Sequence, residues 1–392
     1  MSAVPAPRVR DPRLDFFRGV AMFIIVISHI PGNAWSNWIP ARFGFSDATE
    51  IFVFCSGMAS AVAFGATYAR HGWWMGAART LFRVWQVYWA HVSVFVFIAA
   101  LAVGLNALAL NDKDYVDTLN LYPFFDNPMA ALPALMTLRY VPNYFDILPM
   151  YLVILAMLPI AMALARVHPG LVALASVTLW LAANLGQIRL TAAPWNELRW
   201  FFNPFGWQLV FFTGFAFMAG WLRPPPVRPA LIVLAAGIVV VCLPFAWFRI
   251  LDAAPPLRAV TIALQPVIDK TPFGLLRYVH FLAVAYLAWV AVGPMGARLA
   301  RGDAWPRVVT VFRTVGQQSL AVFMAGLAIS QILGAALDTL GRNFVTIPIV
   351  NLAGIVMVIA TAYLVGWLKA EPWRREAPRH ETDAPLASAL RP

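Results

Sequence analysis

The sequence predicts an all-α polytopic membrane protein with about ten transmembrane helices and both termini on the cytoplasmic side. Three observations carry this. The 392-residue chain is 61% hydrophobic and 12% charged, about half the charge of an ordinary soluble domain, with a mean hydropathy of +0.71. Apolar stretches near the ~20 residues that cross a bilayer recur along its length. Basic residues gather between alternate stretches, as the positive-inside pattern requires.

The first stretch, 14–34, runs through RLDFFRGVAMFIIVISHIPGN and carries Arg18 and His29. Ionisable groups are expensive in hydrocarbon, so function is their default explanation there. It ends without a small-residue cleavage site, so a membrane helix is expected rather than a cleaved signal. The second, 47–69, opens with Asp47 and Glu50, three residues apart and on one helix face; Ser46 is a candidate cap. The third, 81–105, follows Arg79 and Arg83 and holds His91 in its middle. A long connection, 106–145, mixes four aspartates with aromatic residues and reads as an outer loop, either a structured interface anchor or a lid over a site.

Further stretches follow at 146–165, 170–187, 201–222, 229–248, 273–293, 311–335 and 344–368. The sixth contains NPFGWQLVFFTG with Asn203, Trp207 and Gln208; the eighth opens with Arg277 and His280; the ninth holds Gln317, Gln318 and Ser319. Cys55 and Cys242 lie in apolar sequence and are expected to be structural, neither a disulfide scaffold nor metal ligands. No metal site is expected. Residues 1–370 read as one integral-membrane domain, and 371–392 as a short polar, disordered cytoplasmic tail.

With the N-terminus inside, the inner segments hold most of the 29 Lys and Arg residues and the outer side most of the 18 Asp and Glu. The net charge of +11 therefore sets topology, and nucleic acid is not an expected partner. Membrane lipids are, and a homodimer is compatible with the sequence.

Depth concentrates the chemistry. At 1.5 Å per residue, His29 lies about 16 Å above Arg18, in the outer half of the bilayer. Asp47, Glu50, Arg277 and His280 enter from the outer side and fall in the same slab. A neutral imidazole can take a proton from a hydroxyl, and a nearby carboxylate can stabilise the imidazolium. Either Glu50 or Asp47 could serve; acids in a first turn also meet the helix dipole. Arg18, Arg79 and Arg83 cluster at the inner face, where they contact headgroups or bind the phosphates of an anionic donor. Asn203, Trp207, Gln208 and Gln318 are candidates for a polar lining, and interhelical hydrogen bonding is their plainer role.

The blocks RLDFFRG, SHIPGN, FGFSDATEIFVFCSGMASAVAFG, NPFGWQLVFFTG, RYVHFLAVAYL and GQQSLAVFMAG resemble the OpgC family, membrane succinyltransferases of osmoregulated periplasmic glucans within a wider membrane acyltransferase group. The likeness runs from about residue 11 to 368. In the wider group an arginine and a histidine ten intervening residues apart mark the first helix, and Arg18 and His29 have that spacing. The resemblance implies a bacterial inner-membrane enzyme that takes succinyl-CoA or another acyl-CoA as cosubstrate, with no permanently bound cofactor. It further implies a linear or cyclic β-glucan acceptor on the periplasmic side and His29 as the catalytic residue. Arg18, Arg79 and Arg83 would then meet the donor. Arg277 would meet a succinyl carboxylate or sugar oxygens, with His280, Asn203, Trp207, Gln208 and Gln318 toward substrate. An acetyltransferase acting on another glycan, and a proton-coupled transporter, are the competing expectations.

Overall fold

The computed structural model describes residues 11–374, which are helical wherever they are regular apart from one isolated antiparallel bridge, Thr191 to Arg199. The longer helices are α1 (Pro12–His29), α2 (Ala48–Leu108), α3 (Ile147–Val167), α4 (Pro169–Asn184), α5 (Pro204–Ala219), α6 (Pro229–Cys242), α7 (Leu275–Val292), α8 (Trp305–Gln317), α9 (Ser319–Leu340) and α10 (Thr346–Lys369). Among the described residues, five helices are long and apolar enough to cross a membrane: α2, α3, α7, α9 and α10 together with the turn after it; α4, α5 and α6 are shorter apolar helices. Large apolar side chains such as Trp74, Trp85, Trp89, Phe97 and Val356 are exposed on the outside of the bundle. Apolar surface on this scale fits lipid rather than water, and the chain is a multi-pass α-helical membrane protein.

Local sequence explains where the helices begin and end. Asp11 caps α1 by accepting from Arg13 N–H, with Pro12 in the first turn. Asp47 and Glu50 form a capping box at the start of α2, so two orphan amides are satisfied reciprocally. Asn203 caps α5 and Gly220, at φ +80°, ends it. The polar tail expected over 371–392 lies, from 375 on, outside the described residues; Pro372–Arg374 form a single 3-10 turn.

Two expected spans, 47–69 and 81–105, are joined without a loop in α2. The chain nonetheless reverses inside it. Gly72 has φ +78° and ψ 177°, open to glycine at little cost. Arg79 Nη1 donates to Thr67 Oγ1 at 2.6 Å, and the Tyr68 and Thr80 hydroxyls lie 3.3 Å apart. Twelve residues of straight helix would separate each pair by about 18 Å, so the two arms fold back at Gly72. The expected ninth span, 311–335, is instead broken after Gln317, where α8 gives way to α9.

Small residues let the backbones touch. A Cβ at Gly57 of α2 would stand 1.9 Å from Phe211 O of α5, and one at Gly214 of α5 would stand 2.2 Å from Phe54 O of α2. α1 and α8 show the same reciprocity, Gly19 against Phe312 O and Gly316 against Asp15 O. Without a hydrophobic drive between helices in lipid, such close contact contributes to association alongside interhelical hydrogen bonds and lipid entropy.

α1 runs through the bundle centre, against α2, α8, α9 and α10. At its His29 end, Asn33 and Asn351 exchange buried side-chain hydrogen bonds of 2.8 and 2.9 Å. Toward its other end, six residues inside the helix, Arg18 donates to Ser319 Oγ at the start of α9. The connection between α2 and α3 is structured, with helical turns at Tyr115–Thr118, Tyr122–Asp126 and Pro128–Met136. Phe124, Tyr140 and Phe145 pack their rings around Phe95 of α2, and Lys113 reaches Asp338 of α9 at 2.9 Å.

Candidate active site

A cavity of about 570 Å³ opens at the end of the bundle where α1 finishes. Its walls come from the end of α1 (Ser28, His29), the start of α2 (Asp47, Thr49) and the connections before α2, α3, α5 and α7 (Arg42; Asn143, Tyr144 and Asp146; Arg199, Phe201 and Phe202; Lys270). It joins an imidazole, carboxylates, cations and aromatic faces, the mix that a hydroxyl-bearing ligand needs.

His29 is the last residue of α1, and its Nδ1 lies 2.7 Å from Ile25 O one turn back. A carbonyl oxygen only accepts, so Nδ1–H donates and the neutral ring keeps its lone pair on Nε2. Ser28 Oγ is 3.1 Å from the same Nδ1 and donates to Ile25 O at 2.8 Å. The ring faces that of Tyr144, 5.8 Å between centroids. Tyr144 has φ +71°, a conformation costly for an aromatic residue and one that clusters at functional sites.

Of the two carboxylates expected near His29, the cavity holds one. Asp47 lines it and is bound at 2.5 Å by Lys270 Nζ. Glu50 is fully buried and outside the lining. Its Oε2 accepts from Asp47 N at 2.8 Å, and its Oε1 meets Arg277 Nε at 2.8 Å in an ion contact without hydrogen-bond alignment. Arg277 also donates to Phe45 O and lies 3.9 Å from Asp47 Oδ2. Arg277 therefore locks the approach to α2 and does not line the cavity. His280 lies behind it, its Nδ1 accepting from Ser46 N at 3.3 Å and standing 2.8 Å from Ser46 Oγ.

The other expected lining residues serve the scaffold. Asn203 bonds Phe205 N and Ile188 O. Gln208, fully buried, exchanges hydrogen bonds with Ser176 of α4. Gln318 lies at the opposite end of the bundle and accepts from Lys369 at 2.8 Å. Trp207 has an indirect link to the cavity: its Nε1 donates to Lys270 O at 2.9 Å, with Phe202 and Phe273 around its ring. Lys270, Tyr144, Asp146 and Arg199 were not singled out by sequence reasoning. Lys270 stands just ahead of the Arg277 stretch, as an ordinary flanking lysine would.

At the opposite end, Arg18 sits eleven residues before His29 on α1, close to three full turns, so both project from nearly the same face. Arg79 is held by Thr67 and Arg83 by Gln86 at 3.1 Å, and Arg83 lies within electrostatic reach of Lys369. This is a basic end, opposite the cavity.

No curated protein and no solved structure matches the chain. A family model described as OpgC protein matches residues 10–370. That span includes the whole bundle, α1 with Arg18 and His29, and every wall of the cavity; the chain belongs to the OpgC protein family.

Proposed function

We propose that this protein transfers an acyl group, succinyl in the first instance, from cytosolic acyl-CoA to a sugar hydroxyl of a periplasmic β-glucan. Family membership supports acyltransferase activity on a periplasmic substrate; donor, acceptor and residue roles are our reading. The observation that carries it is the tautomer of His29. Its Nδ1–H is engaged by Ile25 O, which leaves Nε2 as a base in a cavity wide enough for a sugar.

In this reading the chain crosses the membrane ten times, the two arms of α2 counting separately and α8 not crossing, with both termini cytoplasmic. The cavity then opens to the periplasm and the Arg18 end faces the cytosol. A glucose hydroxyl enters the cavity and attacks the thioester carbonyl while His29 Nε2 takes its proton. The tetrahedral intermediate collapses to the ester and expels the thiolate, which leaves as free CoA thiol after protonation by the imidazolium. Asp47 stabilises that imidazolium from the cavity wall. Glu50 acts through Arg277 as a positioning residue for Asp47 and the start of α2. Lys270, the lysine in the wall, is better placed than Arg277 to meet a succinyl carboxylate. Arg18, Arg79 and Arg83 receive the donor's phosphates.

The test is thiol release from succinyl-CoA by purified protein, with and without β-glucan, together with the mass of the glucan. Glucan-dependent release with a succinyl increment is expected. Neither release nor increment, with folding verified, would overturn the succinyl–glucan assignment; release only with another donor or acceptor would reassign the substrate.

A further inference from the structure

Behind Tyr144 lies a second space that the reaction above does not use. It is a narrow gap, too tight to admit a water molecule, lined by His91 and Val94 of α2, Tyr144 and Phe145 just before α3, Ile147 and Leu148 at its start, and Phe323 and Leu327 of α9. Tyr144 and Ile147 wall both this gap and the His29 cavity.

Its position is between the two ends of the site. Arg18 is bonded to Ser319, the first residue of α9. Phe323 and Leu327 lie about 6 and 12 Å further along that helix. His29 lies about 16 Å beyond Arg18 on α1, which runs alongside in the same direction, as the contact of Ser330 Oγ with Val26 O at 3.4 Å shows. A flexible arm reaching from the Arg18 end to His29 would pass this level.

His91 is what sets the gap apart. Its side chain is 0% exposed, and neither ring nitrogen has a hydrogen-bond partner among the described residues. A buried polar group without a partner is a standing cost. Val94, Phe323 and Leu327 around it offer no donor or acceptor, so an apolar residue would suit the gap better. The acyl donor of the proposed reaction carries the complementary groups. A pantetheine-type arm has two amides along an otherwise apolar chain, and each needs a partner when drawn into the bundle. Tyr144, in a left-handed conformation at φ +71°, is the wall that would have to move.

Resting on the acyl-CoA reading above, we infer that His91 is a donor-binding residue. Its imidazole hydrogen-bonds an amide of the thioester arm as the arm passes Tyr144 into the His29 cavity. The contact concerns the donor only and leaves the acceptor untouched.

The experiment measures thiol release by purified full-length protein over a series of acyl-CoA and glucan concentrations, for wild type, His91→Leu and His91→Gln. His91→Leu should raise the KM for the donor about tenfold, the order of one lost hydrogen bond to a buried group, with the acceptor KM unchanged and thermal stability equal or higher. His91→Gln should recover the donor KM to within about threefold. An unchanged donor KM in a folded His91→Leu protein overturns the inference and leaves the acyltransferase reading standing. Wild-type protein that neither binds nor turns over any acyl-CoA overturns that reading, and this inference with it. A second measurement needs no variant: acyl-CoA with a photoreactive diazirine in its pantetheine arm should label wild-type protein within 91–94, 144–148 or 323–327, and labelling confined to other segments overturns the inference.

Discussion

His29 Nδ1 and Ile25 O, 2.7 Å apart on the same helix, set the tautomer of the imidazole from within α1. A histidine oriented by its own backbone needs no carboxylate to set its tautomer. This separates two duties often given to one acidic partner, orientation and charge stabilisation, and in the proposed reaction leaves only the second to Asp47. His29→Ala should lower acyl transfer by about 10²–10⁴, the usual share of a general base, while donor binding and thermal stability stay near wild type. Turnover at the wild-type rate in a folded variant would end the catalytic assignment.

Asp47 has a structural duty besides its place in the cavity: it caps α2 and accepts from Thr49 N at 2.7 Å. Two substitutions separate these duties. Asp47→Asn keeps a capping oxygen and loses the charge facing Lys270, so kcat should fall with little change in melting temperature. Asp47→Ala should lose the same activity and about 1 kcal/mol of stability as well. Equal stability in the two variants would deny the cap its weight.

Lys270→Met tests recognition of a charged acyl group. The KM for succinyl-CoA should rise several-fold while that for acetyl-CoA, which has no distal carboxylate, hardly moves. A parallel rise for both donors would make the lysine a structural partner of Asp47 alone.

Close backbone contact makes a sharp prediction at Gly57. A methyl group there would meet Phe211 O at 1.9 Å, and backbone cannot yield as a side-chain tip can. Gly57→Ala should cost about 1–3 kcal/mol by overpacking, read as a lower melting temperature in detergent. Gly237, with nothing within 4 Å of its Cβ direction, is the control and should accept alanine without loss.

The loop ahead of α3 should respond to acid through Asp114. Hydrogen bonds from the Tyr122 hydroxyl, then Asp117 N–H and Asn106, hold its carboxyl at about 2. Because the folded value lies below the ordinary one, the contribution is complete above the usual carboxylate range. It declines as pH falls through that range and is gone below about 2. Asp114→Asn should therefore raise proteolytic cleavage within 109–146 at neutral pH, with the difference from wild type shrinking as pH is lowered toward 3 in an acid protease assay.

The helical membrane class was legible because composition and apolar run length are one-dimensional signals. The arms of α2 were legible as separate stretches with a basic inner connection, but their fusion was not, since Gly72 alone makes the turn and the flanking residues stay helical. The His29 cavity was half legible. Depth along α1 and α2 placed His29 and Asp47 at one level, and both line the same cavity. Depth says nothing of facing, however, so Glu50, Arg277 and His280 lay at the right height yet turn toward the α2 cap and Ser46. Lys270 and Tyr144 come from connections, where no periodicity marks which side chain turns inward.

One helix carries both Arg18 and His29, to which the proposed reaction gives the donor's anchor and the proton acceptor. Arg18 and His29 are not brought together by folding; they are held apart by a helix that can neither stretch nor slip. In the proposed reaction their separation would act as a caliper for the donor, set by three helical turns rather than by loop flexibility. A residue inserted between them would lengthen the gap by only about 1.5 Å but swing His29 about 100° around the axis, away from the cavity that Asp47 also lines. On the proposed mechanism the register of α1 is thus a tolerance of the reaction, and its failure mode is rotational rather than axial.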